Sequence, residues 1–169
     1  MTSGLSSATI SMETPFLGLA PFLRTSIAGG DLRALGQEML TLAGERGDDA
    51  NLWMNLSLAM QCIGQRDLGL AIQAQALAMR RIYHLPAAIQ PAKLCVLMLM
   101  VPGDLAANTP LECLLEDSDI DLIYYYVTAG NPLALPVPEH DVLLVAMGDS
   151  DENRPLLAAL ENDLANWPK

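Results

Sequence analysis

Basic residues and long apolar runs are scarce in this sequence, and each scarcity excludes a class of partner or location. Nine Lys and Arg stand against twenty Asp and Glu, so the formal net charge is -11. A chain of this charge is repelled by nucleic acid and by anionic membrane surfaces, and we expect neither as a partner. The longest uninterrupted apolar run, Leu94 to Val101, is far shorter than the roughly 20 residues of a membrane-spanning helix.

Residues that hold metals or activate nucleophiles are also few. Cys62, Cys95 and Cys113 are widely separated, which argues against a disulfide framework and against a Cys-x-x-Cys metal site. The two histidines, His84 and His140, are isolated from each other, and no glycine-rich phosphate-binding loop occurs. We therefore expect no metal and no cofactor in this chain. Free cysteines and the lack of a secretory signal in the first residues predict a cytoplasmic protein.

The N-terminal half repeats a helical pattern. Gly30 and Gly64 each separate two amphipathic stretches, and 64 minus 30 is 34 residues, the tetratricopeptide period. The second copy carries small and bulky apolar residues where two antiparallel helices pack together: Ala50, Trp53, Leu56, Ala59, Ala76 and Leu77. The pattern predicts helices near residues 16–28, 31–45, 50–63 and 67–84. So short an array needs a cover for its open end, and we expect the C-terminal half to provide it.

The first helix of each repeat lines the concave face on which such arrays bind their ligands. The candidate peptide-groove residues on this face are Arg24, Asn51, Met54, Asn55, Leu58 and Gln61. Asn55 occupies a position at which many tetratricopeptide repeats carry an asparagine that holds a peptide backbone. Packing of the same face against the rest of a longer polypeptide is the alternative interpretation.

After residue 90 the helical spacing gives way to short apolar runs. Leu94 to Val101, Ile120 to Val127 and Val142 to Met147 have the continuous apolar character of strands that are buried on both faces. Helices are predicted over 111–116 and after the turn at 149–155. The order of these elements predicts a small three-stranded parallel sheet of Rossmann-like type with right-handed crossovers.

These patterns divide the chain into three parts and define the fold class as α plus α/β. Residues 1–15 are predicted to form a disordered tail rich in Ser and Thr. Residues 16–90 are predicted to form tetratricopeptide-like antiparallel helical hairpins. Residues 91–169 are predicted to form the Rossmann-like α/β domain.

Polar residues follow the first and third predicted strands, at the edge where open parallel sheets bind ligands. The ligand-binding candidates at this edge are Gly103, Asp104, Asn108, Thr109, Gly148, Asp149, Asn153 and Arg154. The same residue types are common in turns and helix caps, and that interpretation stays open beside the ligand site.

Three stretches of the sequence resemble a known family. They are Val101 to Glu112, His140 to Leu157 and Asn166 to Pro168. The likeness covers about residues 50–169, and it is to the front part of bacterial proteins in which tetratricopeptide-like repeats precede an ATP-grasp module. In that family the α/β segment is a Rossmann-like domain placed before the ATP-binding part. Members join a carboxylate, through an acyl-phosphate, to an amine or thiol.

In that family, lysines hold ATP and carboxylates hold magnesium. Those residues have no counterpart in this sequence, so the resemblance implies a role beside a ligase and not ligase activity itself. Our leading hypothesis is a non-catalytic accessory or scaffold region of an ATP-grasp type ligase, which presents a substrate or contacts a downstream ATP-grasp domain. The alternative is a free-standing module that binds a protein or peptide. An independent small enzyme is a third hypothesis, and a homodimer is compatible with all three.

Overall fold

The computed structural model describes residues 13–130, 132–134 and 136–167, and in this part of the chain six helices pack with a four-stranded mixed sheet. The helices are α1 (Ala20–Ile27), α2 (Leu32–Glu45), α3 (Ala50–Cys62), α4 (Arg66–Met79), α5 (Glu112–Leu115) and α6 (Arg154–Ala165). The strands are β1 (Ile82–Leu85), β2 (Leu94–Met100), β3 (Ile120–Tyr126) and β4 (Val142–Val145). The predicted combination of helical and α/β parts is confirmed at this level.

Capping aspartates and a glycine set the ends of the first helices. Asp31 and Asp49 precede α2 and α3, and each carboxylate accepts a backbone N–H of the first turn at 3.0 Å. Gly64 follows α3 with a φ of 81°, a left-handed conformation that suits glycine at a helix end. The predicted helix breaks at Gly30 and Gly64 are confirmed.

The fourth helix is shorter than predicted, because part of its predicted length is a strand. α4 ends at Met79, Arg80 has extended backbone, and β1 pairs antiparallel with β3. The strand order is β1-β3-β2-β4, in which β2 pairs parallel with both β3 and β4. The predicted three-stranded parallel sheet is therefore corrected to a four-stranded mixed sheet. β1 lies before residue 90, so the predicted boundary between residues 90 and 91 does not separate the helices from the sheet.

Alternate side chains of the sheet enter two apolar cores. Val96, Met98 and Met100 of β2 belong to the helix-side core, which they share with α1–α4. Leu97 and Leu99 belong to the α6-side core on the opposite face. The helix-side core also contains Phe16, Phe22, Leu56, Ile72, Tyr83 and Tyr124. The α6-side core also contains Tyr125, Val127, Met147 and Leu160. The sheet thus covers the helical array on one face and carries α6 on the other.

Three smaller expectations have outcomes at this level. The short helix predicted over 111–116 is the single turn α5, with Leu111 at its N-cap. The three cysteines are free, and Cys113 is exposed. Among the described residues, no helix is long and apolar enough to cross a lipid bilayer.

Candidate functional site

The loop after β2 lies at the carboxyl edge of the sheet, and two amide side chains fix its backbone. Asn108 Oδ1 accepts the N–H of Val101, and Asn108 Nδ2 donates to the carbonyl of Val101, both at 2.8 Å. Gln73 of α4 holds Gly103 in the same way, at 2.8 Å and 3.0 Å. The predicted site residues Gly103 and Asn108 are therefore bonded within the chain.

Asp104 and Thr109 of the same loop also form hydrogen bonds with other residues of the chain. The Asp104 carboxylate accepts a hydrogen bond from Arg66 Nε at 2.9 Å, and this contact holds the pKa of Asp104 below its ordinary value. The N–H of Thr109 donates to the carbonyl of Ala146 at 2.7 Å. These contacts join the loop to α4 on one side and to the end of β4 on the other.

The second predicted cluster follows β4 and meets the first loop. The N–H of Gly148 donates to the loop after β2 at 3.0 Å, and Asn153 Nδ2 donates to the carbonyl of Gly148 at 2.8 Å. Arg154 pairs with Asp151 at 2.8 Å and lies 3.7 Å from Asp149. The structure brings both clusters to one edge of the sheet. Their contacts are those of turns and ion pairs, which favours the turn and capping interpretation.

A segment of the chain itself, outside any helix or strand, lies on the predicted peptide groove. The buried side chain of Asn55 accepts the N–H of Leu17 at 2.9 Å and donates to the carbonyl of Pro15 at 2.8 Å. Asn51 Nδ2 donates to the carbonyl of Thr14 at 2.8 Å. Two asparagines one helical turn apart on α3 thus hold the backbone of this segment.

This N-terminal segment, residues 13–17, is fixed at both ends. Thr14 donates its N–H at 2.9 Å and its hydroxyl at 2.6 Å to Asp49 Oδ2. Burial acts to raise the pKa of Asp49, but the hydrogen bonds from Thr14 and Leu52 and the charge of Arg46 together outweigh it and hold that pKa below its ordinary value. Phe16 packs on Tyr124, with ring centroids 5.2 Å apart.

Two predictions about this region need correction. The tail predicted over 1–15 is ordered by α3 from residue 13, and residues 1–12 lie outside the described part of the chain. The groove is covered, because the N-terminal segment and the sheet pack on α3. Four of its predicted residues are buried, namely Met54, Asn55, Leu58 and Gln61. Arg24 lies apart from them on the surface, in an ion pair with Glu116.

A small cavity of about 40 Å³ lies between α3, the loop after β2 and the sheet. Its lining includes the predicted groove residues Leu58 and Gln61 together with Glu112 and Tyr124. Gln61 Oε1, Glu112 Oε2 and the Tyr124 hydroxyl are buried and have no hydrogen-bond partner among the described residues. Burial, and then the charge of Glu112 and its side-chain contact with the hydroxyl, raise the pKa of Tyr124 well above its ordinary value. The hydroxyl is therefore protonated at neutral pH.

Two residues of this cavity are not predicted from the sequence. The sequence pattern places Tyr124 in the buried strand over 120–127 and Glu112 in the short helix over 111–116. A lone glutamate in the apolar stretch Leu111 to Leu115 is the signal that would have found Glu112, since an acidic side chain is rarely buried without a reason.

A wide depression of about 810 Å³ opens beside the start of β4, and His140 lies in it with Cys95. His140 Nε2 accepts the indole N–H of Trp167 at 3.0 Å, and its Nδ1 lies 2.8 Å from the carbonyl of Pro138. Because a carbonyl oxygen only accepts, Nδ1 carries the proton. Burial raises the pKa of the Cys95 thiol, which opposes its activation as a nucleophile. The contacts of His140 are thus structural ones that fix the end of α6.

Among the described residues, no group of three or more His, Cys, Asp or Glu side chains is placed to hold a metal ion. No family model matches the chain, and neither a curated protein nor a solved structure shows significant similarity to it. The tetratricopeptide-like, Rossmann-like and ATP-grasp assignments therefore stay predictions from the sequence.

Proposed function

We propose that this chain is a non-catalytic binding and scaffold module whose helical layer holds an extended peptide. The observation that carries the proposal is the pair of hydrogen bonds between Asn55 and the N-terminal segment. An amide that pairs with both the N–H and the carbonyl of an extended chain binds backbone, which every peptide offers. Asn51 adds a third backbone contact from the same face of α3.

The sheet supports the scaffold part of the proposal. Open α/β sheets bind substrates beyond the carboxyl ends of their strands, and here the predicted polar residues at that edge are engaged with their own chain. In keeping with the sequence resemblance, we propose that the helices are tetratricopeptide-like, that the sheet is Rossmann-like, and that the module works beside an ATP-grasp type ligase in the cytoplasm.

Loosening the bound segment tests the groove. Phe16→Ala removes a ring that lies 5.2 Å from the rings of Tyr83 and Tyr124, so the segment is held less tightly while Asn55 is retained. A synthetic peptide of residues 13–19 is then added in trans to this variant. We expect saturable shifts of the α3 amide resonances in NMR spectra, because the peptide replaces the loosened segment.

The matched controls remove one asparagine each from the Phe16→Ala chain. Addition of Asn55→Ala is expected to weaken peptide binding about tenfold, the effect of a typical hydrogen bond. Addition of Asn166→Ala, beyond α6 on the far side of the sheet, is expected to leave binding unchanged. A folded Phe16→Ala chain that shows no saturable shift would rule out the groove as a peptide site.

The ligase context has a separate test. The purified chain is mixed with an ATP-grasp ligase encoded in the same gene or next to it, and complex formation is followed by size-exclusion chromatography. Calorimetry of the chain alone with ATP and magnesium is expected to show no binding. Measurable ATP affinity of this chain would contradict a non-catalytic role.

A further inference from the structure

Three polar atoms without partners lie on residues that line one cavity. They are Gln61 Oε1, Glu112 Oε2 and the Tyr124 hydroxyl, on side chains whose residues are 7%, 4% and 2% exposed. Buried polar atoms are paired in the large majority of cases, so three unpaired atoms around one space in the described structure point to a ligand.

All three atoms present oxygen lone pairs. Gln61 Nε2 donates to Ser57 Oγ at 3.3 Å, and Ser57 donates its own proton to the carbonyl of Gly69 at 2.8 Å. Because that hydroxyl has no second proton, the opposite orientation of the Gln61 amide would set two acceptors against each other. Gln61 Oε1 is therefore the unpaired atom. Gln61 Oε1 and Glu112 Oε2 offer only lone pairs, and the Tyr124 hydroxyl, whose proton faces the neighbouring Glu112, offers a lone pair as well. A ligand that contacts all three therefore accepts electron pairs.

The cavity carries negative charge through Glu112. Glu112 Oε1 accepts the N–H of Leu19 at 3.3 Å, at the start of α1, and a helix start supplies at most about half a positive charge. None of the ion pairs among the described residues includes Glu112. The same carboxyl borders a second cavity of about 50 Å³ whose lining contains no basic side chain. A buried carboxylate without a counter-charge is costly, and a cation would balance it.

The size and charge of the site select the class of cation. A cavity of about 40 Å³ holds roughly three water molecules. An organic cation, such as a substituted ammonium ion, is therefore too large for it. Calcium takes about six to eight oxygen ligands and is usually held by several carboxylates, whereas this site has one. We propose that Gln61, Glu112 and Tyr124 bind a small monovalent metal ion such as sodium or potassium, with water completing its coordination.

The test compares chloride salts of equal ionic strength on the full-length chain. Sodium and potassium chloride are the probes, and tetramethylammonium chloride, whose cation is too large for the cavity, is the reference. At a tenfold excess over Kd, a bound ion is expected to raise Tm by about 3–6 °C for a chain of this size. Equal Tm values in all three salts would overturn the proposal, and so would a larger effect of magnesium or calcium.

Variants locate the effect. Glu112→Gln removes the charge in place and is expected to abolish the difference between salts, whereas Asp117→Asn, at an exposed carboxylate, should keep it. Tyr124→Phe retains the ring and is expected to weaken the apparent affinity for the ion about 3- to 10-fold. The Tyr124→Phe result decides the matter if Glu112→Gln does not fold. A salt difference that survives in full in either folded variant would overturn the proposal.

Discussion

At the scale of single residues, amide side chains satisfy backbone groups that no neighbouring strand or helix reaches. Asn108 pairs with both backbone groups of Val101, Gln73 does the same for Gly103 in the same loop, and Asn55 bridges two residues of the N-terminal segment. Unpaired backbone groups inside a protein are costly, so each amide stabilises a stretch of irregular chain.

Asn55→Ala leaves the N–H of Leu17 and the carbonyl of Pro15 without partners. We expect the free energy of unfolding to fall by about 1–3 kcal/mol, as measured by urea denaturation. Asn51→Ala frees one partly buried carbonyl and should cost about 1 kcal/mol or less. A loss for Asn55→Ala no larger than that for Asn51→Ala would contradict the central place of Asn55.

Buried tyrosines make the fold sensitive to alkali. Burial is the main reason that the pKa values of Tyr83, Tyr124 and Tyr126 are raised in the folded chain. An unfolded tyrosine loses its proton near pH 10, so above about pH 10 the unfolded state binds fewer protons than the folded one. Stability is therefore full below about pH 10 and falls as the pH rises, by up to about 1.4 kcal/mol per pH unit for each such tyrosine.

The alkaline prediction is measured by tyrosinate absorbance and circular dichroism in one pH titration. The absorbance of these three tyrosinates should rise together with the loss of secondary structure. Their ionisation in a chain that is still folded would count against the buried positions described above.

At the scale of elements, α3 and α4 approach each other closely at Gly69. Ser57 Oγ donates to the carbonyl of Gly69, and a Cβ at Gly69 would lie 3.0 Å from the carbonyl oxygen of Ser57 and 2.4 Å from Gln61 Cγ. The two helices can approach this closely only because residue 69 has no side chain.

Two glycine substitutions should therefore have opposite signs. Gly69→Ala pushes α3 and α4 apart and is expected to lower the free energy of unfolding by about 1–3 kcal/mol. Gly44→Ala in α2 meets no atom within 4 Å and should raise it by about 0.4–1 kcal/mol, because the unfolded chain loses freedom. Denaturant titration of the two variants measures both values, and a stabilising effect of Gly69→Ala would refute the close contact.

The helices could be predicted from the sequence more fully than the sheet. Gly30, Gly64, Asp31 and Asp49 mark helix ends by local chemistry, so the positions of α1 to α3 follow from short stretches of chain. β1 could not be predicted in this way, because Tyr83 continues the apolar spacing of α4. Only pairing with β3, far along the chain, makes this stretch a strand.

The candidate site could be predicted only in part. Asn55 was identified from its position in the repeat, but the segment that it holds lies 38 residues earlier at Leu17, and no local pattern connects the two. The cavity joins Gln61 of α3, Glu112 of α5 and Tyr124 of β3. Such a set depends on how three elements pack, which spacing within one element does not show.

At the scale of the whole molecule, one sheet is shared by two cores. β2 is paired on both sides and sends alternate residues into the helix-side core and the α6-side core. β1 follows α4 directly and adds an edge strand to the same sheet. The helices and the sheet therefore depend on each other for their buried apolar surface.

The shared sheet predicts one cooperative unfolding transition. Leu56→Ala in the helix-side core and Leu97→Ala in the α6-side core should each lower stability by about 2–5 kcal/mol and shift the same transition. Far- and near-ultraviolet circular dichroism should then give coincident curves in urea. Two separate transitions would instead support independent domains divided near residue 90.

Each face of the sheet also carries one of the two tryptophans of the chain. Trp53 on α3 packs against the helix-side core and donates its indole N–H to the carbonyl of Gly47, whereas Trp167 packs against the α6-side core beside His140. Indole fluorescence depends on the immediate surroundings of the ring. In a Trp53→Phe chain, indole emission thus comes only from the α6 layer, and in a Trp167→Phe chain it comes only from the helical layer. The protein therefore carries an intrinsic fluorescent probe for each layer and needs no added dye.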